Sequence, residues 1–279
     1  ILLRGDMDAL PMPEDTGLEF SSTVDVAMHA CGHDAHTSML VGAARLLAEH
    51  RDQLAGRVRF MFQPGEEGQG GAAHMISEGV LDGVDGAFAL HVAPNVWSDF
   101  VVHRSGAALA SADVVRITIT GRGGHASTPH WATDPVPVAC ETVLALQTMI
   151  TRTVNAFDPA VLTIARIDAG TTDNVIPESA ELTGTLRAVS EHTRHAVWGR
   201  IRQVADGVAA AHGCTAEVDV VEGYPVTVND AAFTRWATEV AVDVAGSHHV
   251  VEMPSPVMGA EDFSYVLQNV RGAMFFLGV

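Results

Sequence analysis

Positive charge is scarce in this 279-residue chain: 16 Lys and Arg stand against 34 Asp and Glu, a formal charge of −18 at pH 7. That balance argues against nucleic acid or an anionic membrane surface as a partner, and it suits a protein that binds cations. Cysteine is scarce too. Cys31, Cys140 and Cys214 are an odd number without framework spacing, which favours a reducing, cytoplasmic compartment over a disulfide-stapled secreted domain. No apolar run approaches the roughly 20 residues that span a bilayer, so no membrane partner is expected. Repeats, heptads and low-complexity tracts are absent. The Gly68-x-Gly70-Gly71 run has neither Walker nor dinucleotide spacing and reads as tight-turn glycine.

Against these absences stand 47% hydrophobic residues, enough for one large core or two modest ones. The chain opens on Ile1 without Met and closes on an apolar stretch, 273–279, resembling a core strand cut at its end, so a fragment is expected. One stretch concentrates the chemistry: His29-Ala-Cys31-Gly-His33-Asp34-Ala-His36. Thiolate, imidazole and carboxylate are the groups that hold a borderline divalent cation, and the i, i+2 spacing of Cys31 and His33 suits a loop or strand end.

Periodicity places further ligand-type residues at strand ends. A strand over 1–4 delivers Asp6 and Asp8, a strand over 57–62 runs into Gln63-Pro64-Gly65-Glu66-Glu67-Gly68, and a strand over 86–92 ends at His91. Helices are expected over about 37–50 and 72–79. This is β/α alternation with its chemistry at the carboxyl ends of strands, where open α/β sheets place their sites. From 113 the pattern changes to strand 113–120, helix 135–154, strands 161–169 and 179–188, helix 191–212 and strand 215–221. That β-α-β-β-α-β order is the ferredoxin-like unit. From about 224 the β/α character returns, with a helix over 230–245. The reading is a mixed-sheet α/β domain, 1–108 and 223–279, carrying an inserted ferredoxin-like α+β domain, 109–222.

Taken singly, a histidine in a core or a glutamate doublet in a glycine turn is bland, but the clustering of Cys31, His33, Glu66, Glu67 and His91 favours a metal site. A Cys31 nucleophile with a histidine base is the rival reading, and it leaves Glu66, Glu67 and His91 unexplained. Adjacent residues on extended backbone point oppositely, so one of Glu66 and Glu67 can ligate while the other faces water as a base.

Together the motifs resemble the M20 metallopeptidase family, in particular its amidohydrolase branch of hippurate hydrolases, N-acyl-amino-acid deacylases and auxin-conjugate hydrolases. The carriers run nearly end to end: Arg4-Gly-Asp-Met-Asp-Ala-Leu-Pro11, Met28-His-Ala-Cys-Gly-His-Asp-Ala-His36, Phe62-Gln-Pro-Gly-Glu-Glu-Gly68, Leu90-His91-Val92, Gly121-Arg-Gly-Gly-His125, Asn174-Val-Ile-Pro177 and Met258-Gly-Ala-Glu-Asp-Phe263. The resemblance implies a metallopeptidase-like catalytic domain with an inserted dimerisation domain. It implies hydrolysis of N-acyl amino acids by metal-activated water, with a dipeptidase, a carboxypeptidase or a non-catalytic binding relative as alternatives. It also implies two divalent ions per subunit, Zn²⁺ or Mn²⁺ first and Co²⁺ or Ni²⁺ next, with Cys31 as bridging ligand and His33, Glu67 and His91 as further ligands. Glu66 becomes general base and acid, Asp8 orients a ligand, and His125, Asn174 and Arg187 bind the substrate, His125 acting on the site of a partner in a homodimer. The family adds another ligating histidine after a strand like the terminal one, and Val279 comes before it; the strand and helix that usually precede the Arg4 motif are also missing, so truncation at both ends is expected.

Overall fold

The computed structural model describes residues 1–279, and the chain divides into two compact units. One comprises Ile1–Leu109, Thr227–Val257 and Glu261–Val279; the other comprises Ala110–Val226 and Met258–Ala260. The inserted unit was expected over 109–222. The short Met258–Ala260 stretch belongs to it as well, held by the Gly259 carbonyl accepting the Ala110 N–H at 2.9 Å.

The first unit opens with β1 (Leu2–Asp6), α1 (His33–Glu49), β2 (Arg59–Gln63), α2 (Gly71–Ser77), β3 (Ala87–Ala93), β4 (Val101–His103) and β5 (Gly106–Leu109). The inserted unit supplies β6 (Asp113–Thr120), β7 (Gly124–His125), α3 (Pro135–Thr153), β8 (Ala160–Ala169), β9 (Val175–Ile176), β10 (Ser179–Ala188), α4 (Glu191–Ala211) and β11 (Thr215–Glu222). The first unit then resumes with β12 (Thr227–Asn229), α5 (Ala231–Ala245), β13 (Val250–Glu252), α6 (Phe263–Asn269) and β14 (Gly272–Gly278).

Six strands of the first unit form a mixed sheet in the order β13-β4-β14-β3-β1-β2, parallel throughout except where β14 meets β4. Side chains alternate across its faces. Ala87 and Ala89 of β3, with Met274 and Phe276 of β14, pack with Ala72 of α2 and Phe263 and Val266 of α6. The intervening Phe88, Leu90, Ala273 and Phe275 pack with Phe233, Ala237 and Ala241 of α5. Period-two alternation thus buries both faces and makes an α/β/α unit. From β1 the chain moves outward to β2 on one side and to β3 on the other, so a topological switch lies between β1 and β3.

The inserted unit is a four-stranded antiparallel sheet, ordered β11-β6-β10-β8. Val115, Ile117, Ile119, Leu182 and Leu186 face Val138 and Leu146 of α3 and Val197 and Ile201 of α4. Both helices are capped from the sequence: Asp134 accepts from the Val136 N–H ahead of Pro135, and Ser190 accepts from the Thr193 N–H. Such caps contribute about 1 kcal/mol each. The fully buried Arg194 side chain bonds Asp113 from two nitrogens, and Trp198 Nε1–H donates to the same carboxylate at 2.9 Å.

Local expectations need correction at three places. The first strand continues through Asp6 rather than stopping at Arg4, because its last residues still pair with β2 up to Asp6↔Gln63. The helix expected from 37 begins at His33, inside the motif, since Gly32 turns the backbone at φ 80° and lets it start there. Glu66 and Glu67 lie in a turn, with the Gly68 N–H donating to the Glu66 carbonyl at 2.7 Å, not on extended backbone. The short β4, β5, β7, β9, β12 and β13 and the helix α6 were not anticipated.

Candidate active site

The crevice at the carboxyl ends of β1, β2 and β3 gathers the ligand-type residues of the first unit. Ligand atoms of Cys31, His33 and His91 lie within 4.8 Å of one another, and so do those of His33, Glu66 and Glu67. The structure therefore brings together every metal-ligand candidate named from the sequence, with Glu66 beside them.

Hydrogen bonding sets the proton on each imidazole. His33 Nδ1 lies 3.0 Å from the Asp8 carbonyl and 3.2 Å from Asp8 Oδ1. A carbonyl only accepts, so Nδ1 donates its proton there. The Nε2 of the same ring is buried without a hydrogen-bond partner, 3.5 Å from Asp6 Oδ2 and 4.0 Å from Glu67 Oε1. Asp8 Oδ2 also accepts the Glu67 N–H at 2.9 Å, so one carboxylate ties His33 to the Glu67 turn. His91 repeats the pattern: Nδ1–H donates to the Val92 carbonyl at 2.7 Å, and Nε2 faces Cys31 Sγ at 3.6 Å. Two imidazole Nε2 atoms, a thiol and a carboxylate converging in this way fit a divalent cation. The orphaned Nε2 of His33 is the atom that most needs one.

Behind this cluster lies a buried ionic core. Arg4 Nη1 pairs with Asp6 Oδ2 at 2.5 Å, Nη2 donates to Glu261 Oε1 at 2.7 Å and Asp262 Oδ1 at 3.2 Å, and Nε donates to Gln63 Oε1 at 2.9 Å. Gln63 Nε2 and the Ala72 N–H also donate to Asp262. Burial raises the Asp6 carboxyl, but the His36 hydrogen bond and the Arg4 charge outweigh it and hold Asp6 well below the usual range. Burial, then Glu261, pushes Glu66 up to about 9 and Asp262 up to about 7. Burial, then Glu67 and Glu66, pushes the Cys31 thiol up to about 12. Burial, then His36, lowers His91.

The remaining candidates lie in the inserted unit. His125 and Asn174 are brought together by the β7–β9 pair: His125 is registered with Val175, and the Ala126 N–H donates to the Asn174 carbonyl at 3.0 Å. Both are exposed, and His125 lines a shallow cleft of about 460 Å³ with Val175, Pro177 and Glu178. Arg187 is elsewhere. It lies at the far end of β10, opposite Val161, roughly 25 Å along the strand from the end nearest His125 at about 3.3 Å per residue. The structure does not bring His125 and Asn174 to Arg187 within this unit.

Sequence reasoning assigned no role to Arg4, Glu261 or Asp262, and it left His29 and His36 as structural residues or supports behind the ligands. The available signal was charge between apolar neighbours, as with Arg4 after Ile1-Leu-Leu and Glu261-Asp262 before Phe263, because a buried charge demands a partner.

A buried carboxylate beside imidazole, thiol and carboxylate donors, in the crevice of an α/β sheet, is the furniture of a metal-dependent hydrolase, and comparisons with known proteins place the chain within that class. It belongs to Peptidase family M20/M25/M40, whose model matches residues 2–279. It is 40% identical over 281 residues to thermostable carboxypeptidase 1 of Saccharolobus solfataricus, covering 100% of this chain and 70% of that protein. It is 40% identical over 278 residues to an N-acetylcysteine deacetylase of Bacillus subtilis, covering 100% of this chain and 72% of that one. Among solved structures, the Bacillus subtilis YXEP protein, described as a dinuclear metal binding peptidase from the M20 family, superposes with a TM-score of 0.87 at 37% identity, covering 100% of this chain and 71% of that chain.

Proposed function

We propose that the protein hydrolyses the amide bond between an acyl group and an amino acid, with Cys31, His33, Glu67 and His91 as ligands for two divalent cations. The observation that carries this reading is His33 Nε2: buried and without a hydrogen-bond partner beside Cys31, His91 and Glu67, while Nδ1 faces the Asp8 carbonyl. When bound, divalent cations supply Lewis-acid polarisation of the amide carbonyl and make water more acidic.

The chain's own residues do the rest. Glu66, buried next to the ligands, takes a proton from the attacking water and delivers it to the departing amine; a carboxyl raised by burial is suited to carrying that proton. Asp8 orients His33 and anchors the Glu67 turn. Arg187 pairs with the substrate carboxylate through its forked guanidinium, and His125 and Asn174 polarise the carbonyl oxygen. The span along β10 between Arg187 and the His125 end supports a homodimer in which His125 serves the partner's substrate.

The relatives' names support amide cleavage, and the carboxypeptidase among them favours a second reading, peptide trimming by the same chemistry. Relative rates on acetyl- and benzoyl-amino acids against peptides separate the two. For the mechanism, Glu66→Gln is expected to lower kcat by roughly 10²–10⁴-fold while metal binding persists. A Glu66→Gln protein with near-wild-type kcat overturns the assignment. A wild type that binds metal and hydrolyses no substrate of either class shows a binding relative instead.

A further inference from the structure

Both nitrogens of His36 are committed, and neither is committed to a cation. Nε2 accepts the Val92 N–H at 2.9 Å. Because a backbone amide only donates, the ring proton sits on Nδ1, where it faces Asp6 Oδ1 at 2.5 Å. Asp6 is in turn paired with Arg4, which Glu261, Asp262 and Gln63 hold from behind. On the other side, the carbonyl of the same Val92 accepts from His91 Nδ1. Val92 is therefore gripped at its N–H by His36 and at its C=O by His91.

Sheet pairing explains how a side chain comes to take a backbone position. The β1–β3 ladder ends at Arg4↔Ala89, and Val92 lies beyond it, where the two strands part. The first turn of α1 comes close enough to fill the gap because Gly5 of β1 has no side chain; a Cβ there would stand 2.9 Å from the His36 carbonyl oxygen. The rings of His36 and His91 then meet edge to face at 4.5 Å.

We propose that His36 is a positioning residue for His91. Through Val92 it hands the rigidity of the buried Arg4–Asp6 pair to the ring that faces Cys31, with Glu261 and Asp262 as distant anchors. The inference rests on the reading of Cys31, His33, Glu67 and His91 as metal ligands.

The two nitrogens can be tested separately. Asn at position 36 places an amide near the Nδ1 position, able to donate to Asp6; Gln places a carbonyl near the Nε2 position, able to accept from Val92. Co²⁺ alone is titrated into chelator-stripped wild type, His36→Asn and His36→Gln, reading thiolate-to-cobalt charge-transfer absorption and hydrogen exchange at the Val92 amide. His36→Asn is expected to weaken Co²⁺ binding by roughly 10- to 100-fold and to expose the Val92 amide, whereas His36→Gln keeps the Val92 amide protected and, lacking only the donor to Asp6, weakens Co²⁺ binding less. Equal weakening in the two variants, or wild-type affinity in His36→Asn, overturns the inference. If neither His36 variant folds, Asp6→Asn probes the preceding link: weaker Co²⁺ binding supports the relay and unchanged affinity overturns it. A wild type that shows no thiolate–cobalt band overturns the ligand assignment and the relay with it, whereas normal wild-type binding with unaffected variants overturns the relay alone.

Discussion

Replacing Gly32 with Ala is the sharpest test of how the site is built. Gly32 sits between Cys31 and His33 at φ 80°, a left-handed conformation that opens α1, and an L-residue there costs about 1–2 kcal/mol. A Cβ on Gly32 would stand 2.3 Å from Val92 Cγ2, well inside contact distance, and Val92 has little freedom to retreat because His36 and His91 hold its peptide groups on both sides. Overpacking of that kind costs about 1–3 kcal/mol. The sum, about 2–5 kcal/mol, lowers the melting temperature of the metal-free protein by roughly 5–15 °C for a unit of this size. The steric part can be isolated. Val92→Ala removes Cγ2, so the Gly32→Ala/Val92→Ala double variant should recover about 1–3 kcal/mol relative to the sum of the single variants. Wild-type melting in Gly32→Ala, or strict additivity in the cycle, would refute the geometry on which Cys31 and His33 depend.

Two further perturbations follow from the hydrogen bonds and charges. Asp8→Asn keeps the main-chain carbonyl facing His33 Nδ1 but removes the charge and one of the two carboxylate acceptors shared by His33 and the Glu67 N–H; divalent-cation affinity should fall by roughly 10- to 100-fold in a chelator competition, and unchanged affinity would remove Asp8 from the site. Asp262 has a folded-state pKa of about 7 against 3.8 for the free side chain, so the stability it contributes is present below about pH 4 and lost as pH rises through about 7. The metal-free wild type should therefore lose stability relative to Asp262→Asn between pH 4 and 7, and parallel denaturation midpoints across that range would count against the buried cluster.

Much of this site could be read from the sequence because its residues announce themselves locally. Cys31 and His33 share one motif, Glu66 and Glu67 follow an apolar strand and a Pro-Gly turn, and His91 lies late in a buried strand, so strand-end placement predicts the convergence of the last three and the motif supplies the other two. The inserted unit was legible for a related reason: its alternation of periods sets β6 and β10 at their observed limits. What escaped was decided by pairing over long separations. Arg4 meets Glu261 and Asp262 from the other end of the chain, and nothing in either stretch specifies the other. The early start of α1 escaped because a single glycine in the left-handed region, which no periodicity reveals, moves His33 from a loop onto a helix. The β/α pattern likewise gave no sign that the β1–β3 ladder stops three residues short of Val92.

The electrostatics explain why a cation belongs in this crevice rather than merely fitting it. Arg4 is the one guanidinium facing Asp6, Glu66, Glu261 and Asp262, and the neighbouring cluster adds Glu67, Asp8 and a thiol. Crowding of acids at this end, on top of burial, favours their protonated forms: the thiol of Cys31 is pushed up to about 12, Glu66 up to about 9 and Asp262 up to about 7. Burial is the first cause of each rise, and the neighbouring acids add to it. Asp6 shows the alternative, since the His36 hydrogen bond and the Arg4 charge hold it low despite complete burial. A divalent ion held by Cys31, His33, Glu67 and His91 would do for the front of the crevice what Arg4 does for the back, displacing protons from the acids it faces. The division of labour would then follow from geometry: the permanent cation is fixed by covalent attachment to β1, where nothing needs to move, and the exchangeable one would be held at the open end, where His33 Nε2 lacks a hydrogen-bond partner and His91 Nε2 faces the Cys31 thiol.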